Sequence, residues 1–195
     1  LLVAVVLSAQ TTDVAVNRAL PGLFGQYPDV RALAAADPEA VAERLKTIGM
    51  YRQKARHLVA LSQRLVAHHE GEVPRHLDAL IELPGVGRKT ANVLMGVGFG
   101  EATGVVVDTH VQRLAQRLGW TKQSKPEPIE ADLGRLFPKK DWIMLSHVLI
   151  FHGRRVCTAR APACASCPVM DSCPSAGKAE RVGRKPARLR RKDAE

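Results

Sequence analysis

Leu83-Pro84-Gly85-Val86-Gly87-Arg88-Lys89-Thr90 is a tight glycine turn set between two stretches of helical period. Before it Leu77, Leu80 and Ile81 recur at i, i+3 and i+4, and after it Ala91, Leu94, Met95 and Gly98 mark one face at the same spacing. The pattern predicts helix, hairpin, helix over residues 77–98. Gly85 and Gly87 lack a Cβ and are free to take positive φ, so the turn can bring backbone N–H groups close to a ligand. The second helix starts there with its first amides unpaired, an arrangement that attracts phosphate. Gly85, Val86, Gly87 and Arg88 are therefore candidate backbone and side-chain contacts to a phosphate group. On glycines alone the turn could equally be an ordinary helix connection.

Working outward, nearly every segment has helical period and none alternates as a strand does, so the fold is expected to be all-α. An opening helix from Leu1 is followed by one capped by Thr12 or Asp13 and stopped by Pro21-Gly22. Asp37-Pro38-Glu39 combines an N-cap, a proline at N1 and an acid in the first turn. It predicts a helix carrying Val41, Leu45 and Ile48 inward and ending at Gly49. A long helix follows from about Tyr51 to His69, with Ala55, Leu58, Val59, Ser62, Leu65 and Val66 on one face, and Pro74 opens the next. Beyond the hairpin, Asp108 or Thr109 starts a helix to Leu118, Thr121 to Pro128 reads as a loop, and Ile129, Leu133 and Leu136 mark a short helix. Asp141 is expected to cap an apolar helix from Trp142 to Phe151, broken by Gly153.

The chain of 195 residues is 46% apolar with a net charge of +10, which excludes a disordered chain and points to a polyanionic partner. Only 4% of residues are aromatic, too few for a protein that grips single strands by stacking bases. The run Leu1 to Leu7 is too short to span a membrane. From Ser175 onward eight basic residues face three acidic ones, and residues 175–195 read as a solvated, disordered tail able to add salt-sensitive affinity for DNA.

All four cysteines fall in one cluster, Cys157, Cys164, Cys167 and Cys173, spaced C-x6-C-x2-C-x5-C. Zinc suits four thiolates, but zinc ribbons usually present two C-x2-C pairs and only one exists here. A single compact loop favours a 4Fe-4S cluster, whose irons each take one thiolate.

LPGVGRKTAN, Val107-Asp108-Thr109-His110 and the cysteine loop together resemble the endonuclease III family of helix-hairpin-helix, iron-sulfur DNA glycosylases, from Leu1 to about Pro174. The resemblance implies a helix-hairpin-helix glycosylase domain over 1–103, an iron-sulfur domain over 104–174 with its 4Fe-4S loop at 157–173, and further helical sequence upstream of Leu1. It makes Lys89 the catalytic amine and Asp108, 19 residues later, its partner across a cleft. Lysine at its unperturbed pKa of ~10.4 is neutral in about one amine of 2,500 at pH 7, and only that form is a nucleophile. Desolvation, the following helix and Arg88 are expected to favour the neutral amine. Asp108 is also a good N-cap, and a cap carboxylate is rigidly held.

By the same resemblance Gln10 and the Ile48-Gly49-Met50 turn would enter the gap left by an extruded nucleotide, and Arg160 would meet a phosphate. His110 would serve as a phosphate contact or as a hydrogen-bonded structural histidine. The implied activity is a bifunctional glycosylase and abasic-site lyase acting on oxidised pyrimidines in double-stranded DNA. A monomer in a bacterial cytoplasm, associated with the nucleoid and not with membrane, is the implied setting. Two alternatives stay open: an adenine glycosylase of the same superfamily, which typically lacks lysine at the position of Lys89, and a non-catalytic iron-sulfur DNA-binding protein.

Overall fold

The structure is a computed structural model that describes residues 1–183. Among the described residues there is no strand, and the chain divides into two compact units, Leu1–Thr103 and a second beginning at Gly104. No helix among them is long and apolar enough to cross a membrane.

The first unit contains α1 (Leu2–Ser8), α2 (Asp13–Gln26), α3 (Val30–Ala34), α4 (Pro38–Arg44), α5 (Tyr51–His68), α6 (Leu77–Ile81) and α7 (Arg88–Val93). Its centre is α5, which buries Ala55, Leu58, Val59, Leu61, Ser62 and Leu65 and packs on α3, α4 and α1. Leu7, Leu23, Leu45, Leu58 and Leu80 are wholly enclosed in this core. Each such side chain stabilises the fold by roughly 1.5–3 kcal/mol through burial alone. The long helix ends where Gly71, at φ +88°, donates its N–H to the Leu65 carbonyl at 2.9 Å, a reversal that a left-handed glycine permits.

Three helix limits differ from the sequence expectation in this unit. Pro21 lies inside α2 and does not stop it. It sits on the exposed face, where the Asn17 carbonyl it leaves without an amide can be hydrated, while the buried Leu23 ties the next turn to the core. The helix that starts at Pro38 ends at Arg44, although Val41, Leu45 and Ile48 are all buried as expected. Beyond Arg44 the backbone tightens, with the Leu45 amide on the Ala42 carbonyl and the Ile48 amide on Leu45. Pro74 precedes α6 without opening it, since that helix begins at Leu77 after His76.

The second unit contains α8 (Thr109–Arg117), α9 (Pro126–Leu136) and α10 (Trp142–Arg155). Val111, Leu114, Ile129, Leu133 and Leu149 form its core, and Trp120 meets Phe137 edge to face at 4.9 Å between ring centres. The loop expected through Pro128 gives way to helix at Pro126, which takes the N1 position where its missing N–H costs nothing. Asp141 makes no side-chain cap bond. Gly153 lies within α10 rather than breaking it, because a Cβ there would come within 3.0 Å of Arg113 and His110. The glycine serves the close approach of α8 and α10. Residues 175–183 are packed rather than a loose tail: Ser175 and Ala179 are buried, and the Val182 carbonyl accepts from Arg117 at 2.9 Å. The remaining basic residues, Arg184 onward, lie outside the described residues.

Candidate nucleic-acid and iron-sulfur sites

In the hairpin of the first unit, Gly85 adopts φ +79°, and a Cβ there would meet His57 at 3.0 Å. Gly87 does not share that conformation. It is the N-cap of α7 at φ −90°, ψ 171°, the extended geometry a cap residue takes. A Cβ on Gly87 would touch nothing within 4 Å, so its absence opens the backbone outward instead of relieving a clash. Val86 departs from the expectation of a DNA contact: its side chain is buried and its N–H is spent on the Leu83 carbonyl at 3.0 Å. It anchors the turn. Arg88 and Lys89 are exposed in the first turn of α7, which has no side-chain cap, and the first intrahelical bond runs from Ala91 to Gly87 at 2.9 Å. The protein itself therefore does not desolvate Lys89 as expected. After Val93 the helix widens into a π turn over Leu94–Gly98, leaving Leu94 and Met95 buried and Gly98 exposed.

Gly85→Ala should lower stability by about 1–2 kcal/mol, the cost of a left-handed non-glycine residue, before the contact with His57 is counted. Denaturant unfolding together with duplex-DNA titration measures both the loss and the weakened hairpin.

The turn after α1 and the turn before α5 abut. A Cβ built on Gly49 would lie 3.7 Å from the Gln10 carbonyl oxygen. Gln10 and Met50 are both exposed and both left-handed, at φ 54° and 58°. Ile48, expected at the DNA, is instead a core residue at 2% exposure, because the turn that lifts Met50 out drives its neighbour inward. Lys54, which sequence reasoning passed over, is 4% exposed and donates to the Leu7 carbonyl at 2.9 Å, the Ala9 carbonyl at 2.7 Å and Thr11 Oγ1 at 2.6 Å. Burial pushes its pKa below the ordinary lysine value. Its signal was a charged residue four before Leu58, within the inward stripe of α5.

In the second unit Asp108 is half-buried and caps α8, accepting from the His110 and Val111 amides at 2.8 Å each, both on Oδ1. Oδ2 lies outside the cap. The approach to Asp108 is held by the Val106 amide, which donates to Ser146 Oγ at 3.0 Å. His110 has Nδ1 3.1 Å from Arg113 Nη2, so that ring nitrogen accepts from the guanidinium and only Nε2 is left to face a ligand. Arg160 is exposed on the loop between the first two cysteines.

Cys157, Cys164, Cys167 and Cys173 line one cavity, walled also by Arg117 and His152. Short turns set them there, with the Cys167 amide on the Cys164 carbonyl and the Cys173 amide on Met170, each about one turn of 3-10 helix. Arg117, 1% exposed, donates to Cys157 Sγ at 3.2 Å and to the Thr158 and Ala159 carbonyls at 2.7 and 3.0 Å. Arg113, 7% exposed, reaches the Gly153 and Cys157 carbonyls at 2.9 and 3.0 Å. Burial and then the charge of Arg117 lower its pKa. His152 Nε2 lies 3.6 Å from Cys167 Sγ, and burial lowers the imidazole's pKa, favouring its neutral form. Arg113 and Arg117 were legible only as charges at i and i+4 inside the apolar stripe of α8.

This donor set fits an iron-sulfur cluster. Four thiols surround one space, with Arg117 and His152 in its wall. Donors arranged around a volume suit a cluster whose irons each take one thiolate, and the buried Arg117 guanidinium in the same wall would offset its negative charge.

Fold and sites together define a helix-hairpin-helix protein with an iron-sulfur module. The family model for HhH-GPD superfamily base excision DNA repair protein matches residues 3–139, and that for the iron-sulfur binding domain of endonuclease III matches residues 157–173. Endonuclease III of Synechocystis is 48% identical over 90% of this chain and 80% of its own length. Two solved structures are similar: a trapped endonuclease III-DNA covalent intermediate (TM-score 0.84, 42% identity, 90% of this chain and 82% of that one) and a non-covalent endonuclease III-DNA complex (0.85, 41%, 92% and 84%). The chain belongs to the endonuclease III family of the HhH-GPD superfamily, and its cofactor is the 4Fe-4S cluster.

Proposed function

We propose that this chain removes oxidised pyrimidines from duplex DNA through Lys89 and then cleaves the strand at the abasic site. As a member of its family it is a DNA N-glycosylase and abasic-site lyase. The observation that carries the residue assignment is the exposed Lys89 in the first turn of α7, on a hairpin that opens its backbone outward at Gly87. A relative 42% identical has been trapped in a covalent intermediate with DNA, which supports an amine nucleophile here.

The hairpin amides at Gly85 and Gly87, with Arg88, grip phosphate without regard to sequence. The lesion nucleotide is extruded at a cost of a few kcal/mol, least for a damaged base, while Gln10 and Met50 occupy the gap. Covered by DNA, Lys89 loses its water, and its neutral amine attacks C1′. The N-glycosidic bond breaks with its electron pair passing to the base, which leaves after taking a proton. The attacking nitrogen loses a proton, and the sugar ring then opens: its lone pair forms C=N as the C1′–O4′ bond breaks and O4′ takes a proton. The iminium acidifies C2′–H, and loss of that proton expels the 3′ phosphate by β-elimination. Asp108 Oδ2, outside the cap, stabilises the positive charge that develops on the sugar and relays protons. Cys157, Cys164, Cys167 and Cys173 would hold the cluster, which would tie four points of the 157–173 loop together and so support Arg160 towards the DNA backbone; His110, in α8, offers its Nε2 edge to the same backbone. The protein acts as a monomer on chromosomal DNA in the bacterial cytoplasm.

Asp108→Asn separates the two duties of that residue. Asparagine caps as well as aspartate, so stability should change by only a few tenths of a kcal/mol. Base excision should fall about 10²- to 10³-fold with the charge. Calorimetry and single-turnover excision measure the two.

The proposal is tested with cluster-loaded protein on duplexes containing one oxidised thymine, one adenine opposite an oxidised guanine, or no damage. A single strand break at the thymine lesion, carrying a 3′ unsaturated aldehyde, is expected. Release of adenine without strand cleavage would assign the chain to the adenine glycosylases instead.

A further inference from the structure

Among the described residues Lys54 links the left-handed turns at Gln10 and Met50, reaching the first through its ammonium and the second through the backbone of α5. Its backbone N–H donates to the Met50 carbonyl at 3.0 Å. Its ammonium reaches the Ala9 carbonyl and Thr11 Oγ1, the residues on either side of Gln10, and also the Leu7 carbonyl at the end of α1. A buried ammonium has three N–H groups to satisfy, and these three acceptors use them all. Left-handed backbone at a non-glycine residue persists only where its surroundings overdetermine it. Met50, 47% exposed, and Gln10 lie at the surface, so their own side chains do not supply that restraint.

We infer that Lys54 is a positioning residue for nucleotide extrusion, locking Gln10 and Met50 side by side in the conformations that let them enter the duplex. The inference rests on the assignment of those two residues to the gap made above. It separates extrusion from chemistry: a protein lacking the lock still carries Lys89 and Asp108, and is slow only when the helix must be opened. A purely structural lysine would instead lower every activity in proportion to the folded fraction.

The test compares cluster-loaded wild type, Lys54→Met and Lys54→Arg on two substrates. One is an oxidised thymine in a fully paired duplex, with a fluorescent base analogue beside it to report extrusion. The other is an abasic site within a short unpaired bubble. Folded active protein is counted by borohydride trapping on the bubble. Methionine keeps the length and removes the donors, so excision from the paired duplex should fall about 10- to 100-fold, the effect of misplacing a group by about an ångström. Cleavage of the bubble should change less than about threefold, and arginine should restore part of the loss by reaching the same acceptors. Thr11→Val removes one acceptor and should move both readouts in the same direction by less, which keeps the test open if Lys54→Met folds poorly. Adding Gln10→Ala to Lys54→Met should cause little further loss, because the two act through one another. Equal losses on both substrates, or multiplicative losses in the double variant, would overturn the inference. Wild type inactive on both substrates would instead remove the proposed function beneath it.

Discussion

Lys89→Ala should reduce abasic-site cleavage and base excision by about 10⁴-fold or more while leaving the fold intact. Lys89 is exposed in the first turn of a helix whose core contacts come from Ala91 and Asn92. Exposed substitutions away from caps and cores usually change stability by within about 0.5 kcal/mol. Binding to duplex DNA should weaken only slightly, since one basic side chain among several is lost. Lys89→Arg is the stricter variant: a guanidinium keeps the charge but cannot be deprotonated in proteins and so cannot attack C1′. Single-turnover cleavage, melting and DNA titration of both variants separate the roles. If either retains cleavage within tenfold of wild type, another group is the nucleophile and Lys89 is a phosphate contact.

Cys167→Ala should abolish cluster retention and unfold much of the second unit. The cavity brings four thiols together with the buried Arg117, which donates directly to Cys157 Sγ. Losing the anionic occupant leaves Arg117 buried with only carbonyl and thiol partners. A buried charge deprived of its partner costs roughly 3–5 kcal/mol, comparable to the whole stability of a small domain. The expected result is colourless protein without bound iron, rapid proteolysis beyond Gly104 and loss of excision. Visible absorbance, iron content and limited proteolysis followed by mass spectrometry check it. Iron-free Cys167→Ala with a protease-resistant second unit would show that the cluster is dispensable for the fold.

Much of this molecule was legible as local pattern. The helical period around residues 77–98, the Asp108 cap and the four-cysteine loop each depend on neighbours within a few residues, and such signals survive in a bare sequence. What failed depends on the face a residue occupies. Pro21 and Gly153 are helix breakers by type, yet one stands on a solvated face and the other where two helices meet closely. Ile48 and Val86 sit within stretches assigned to DNA, but turn geometry sends their side chains inward while Met50 and Gly87 face outward. Lys54, Arg113 and Arg117 were hidden for the converse reason: a charged residue in an apolar stripe reads as an interruption until three-dimensional structure supplies its carbonyl and thiol partners. Lys89 came to notice through its motif, but its exposure depends on which face of the first turn of α7 it occupies, and the motif does not show that.

In the proposed reaction the Lys89 amine becomes covalently joined to the sugar. Borohydride reduction of cluster-loaded protein on duplex carrying an oxidised thymine, followed by proteolysis and mass spectrometry of the cross-linked peptide, tests it directly. The expected result is a stable adduct on the peptide spanning the hairpin, with the sugar remnant on Lys89. A well-folded, DNA-binding protein that yields no adduct, or an adduct on a different amine, would contradict it.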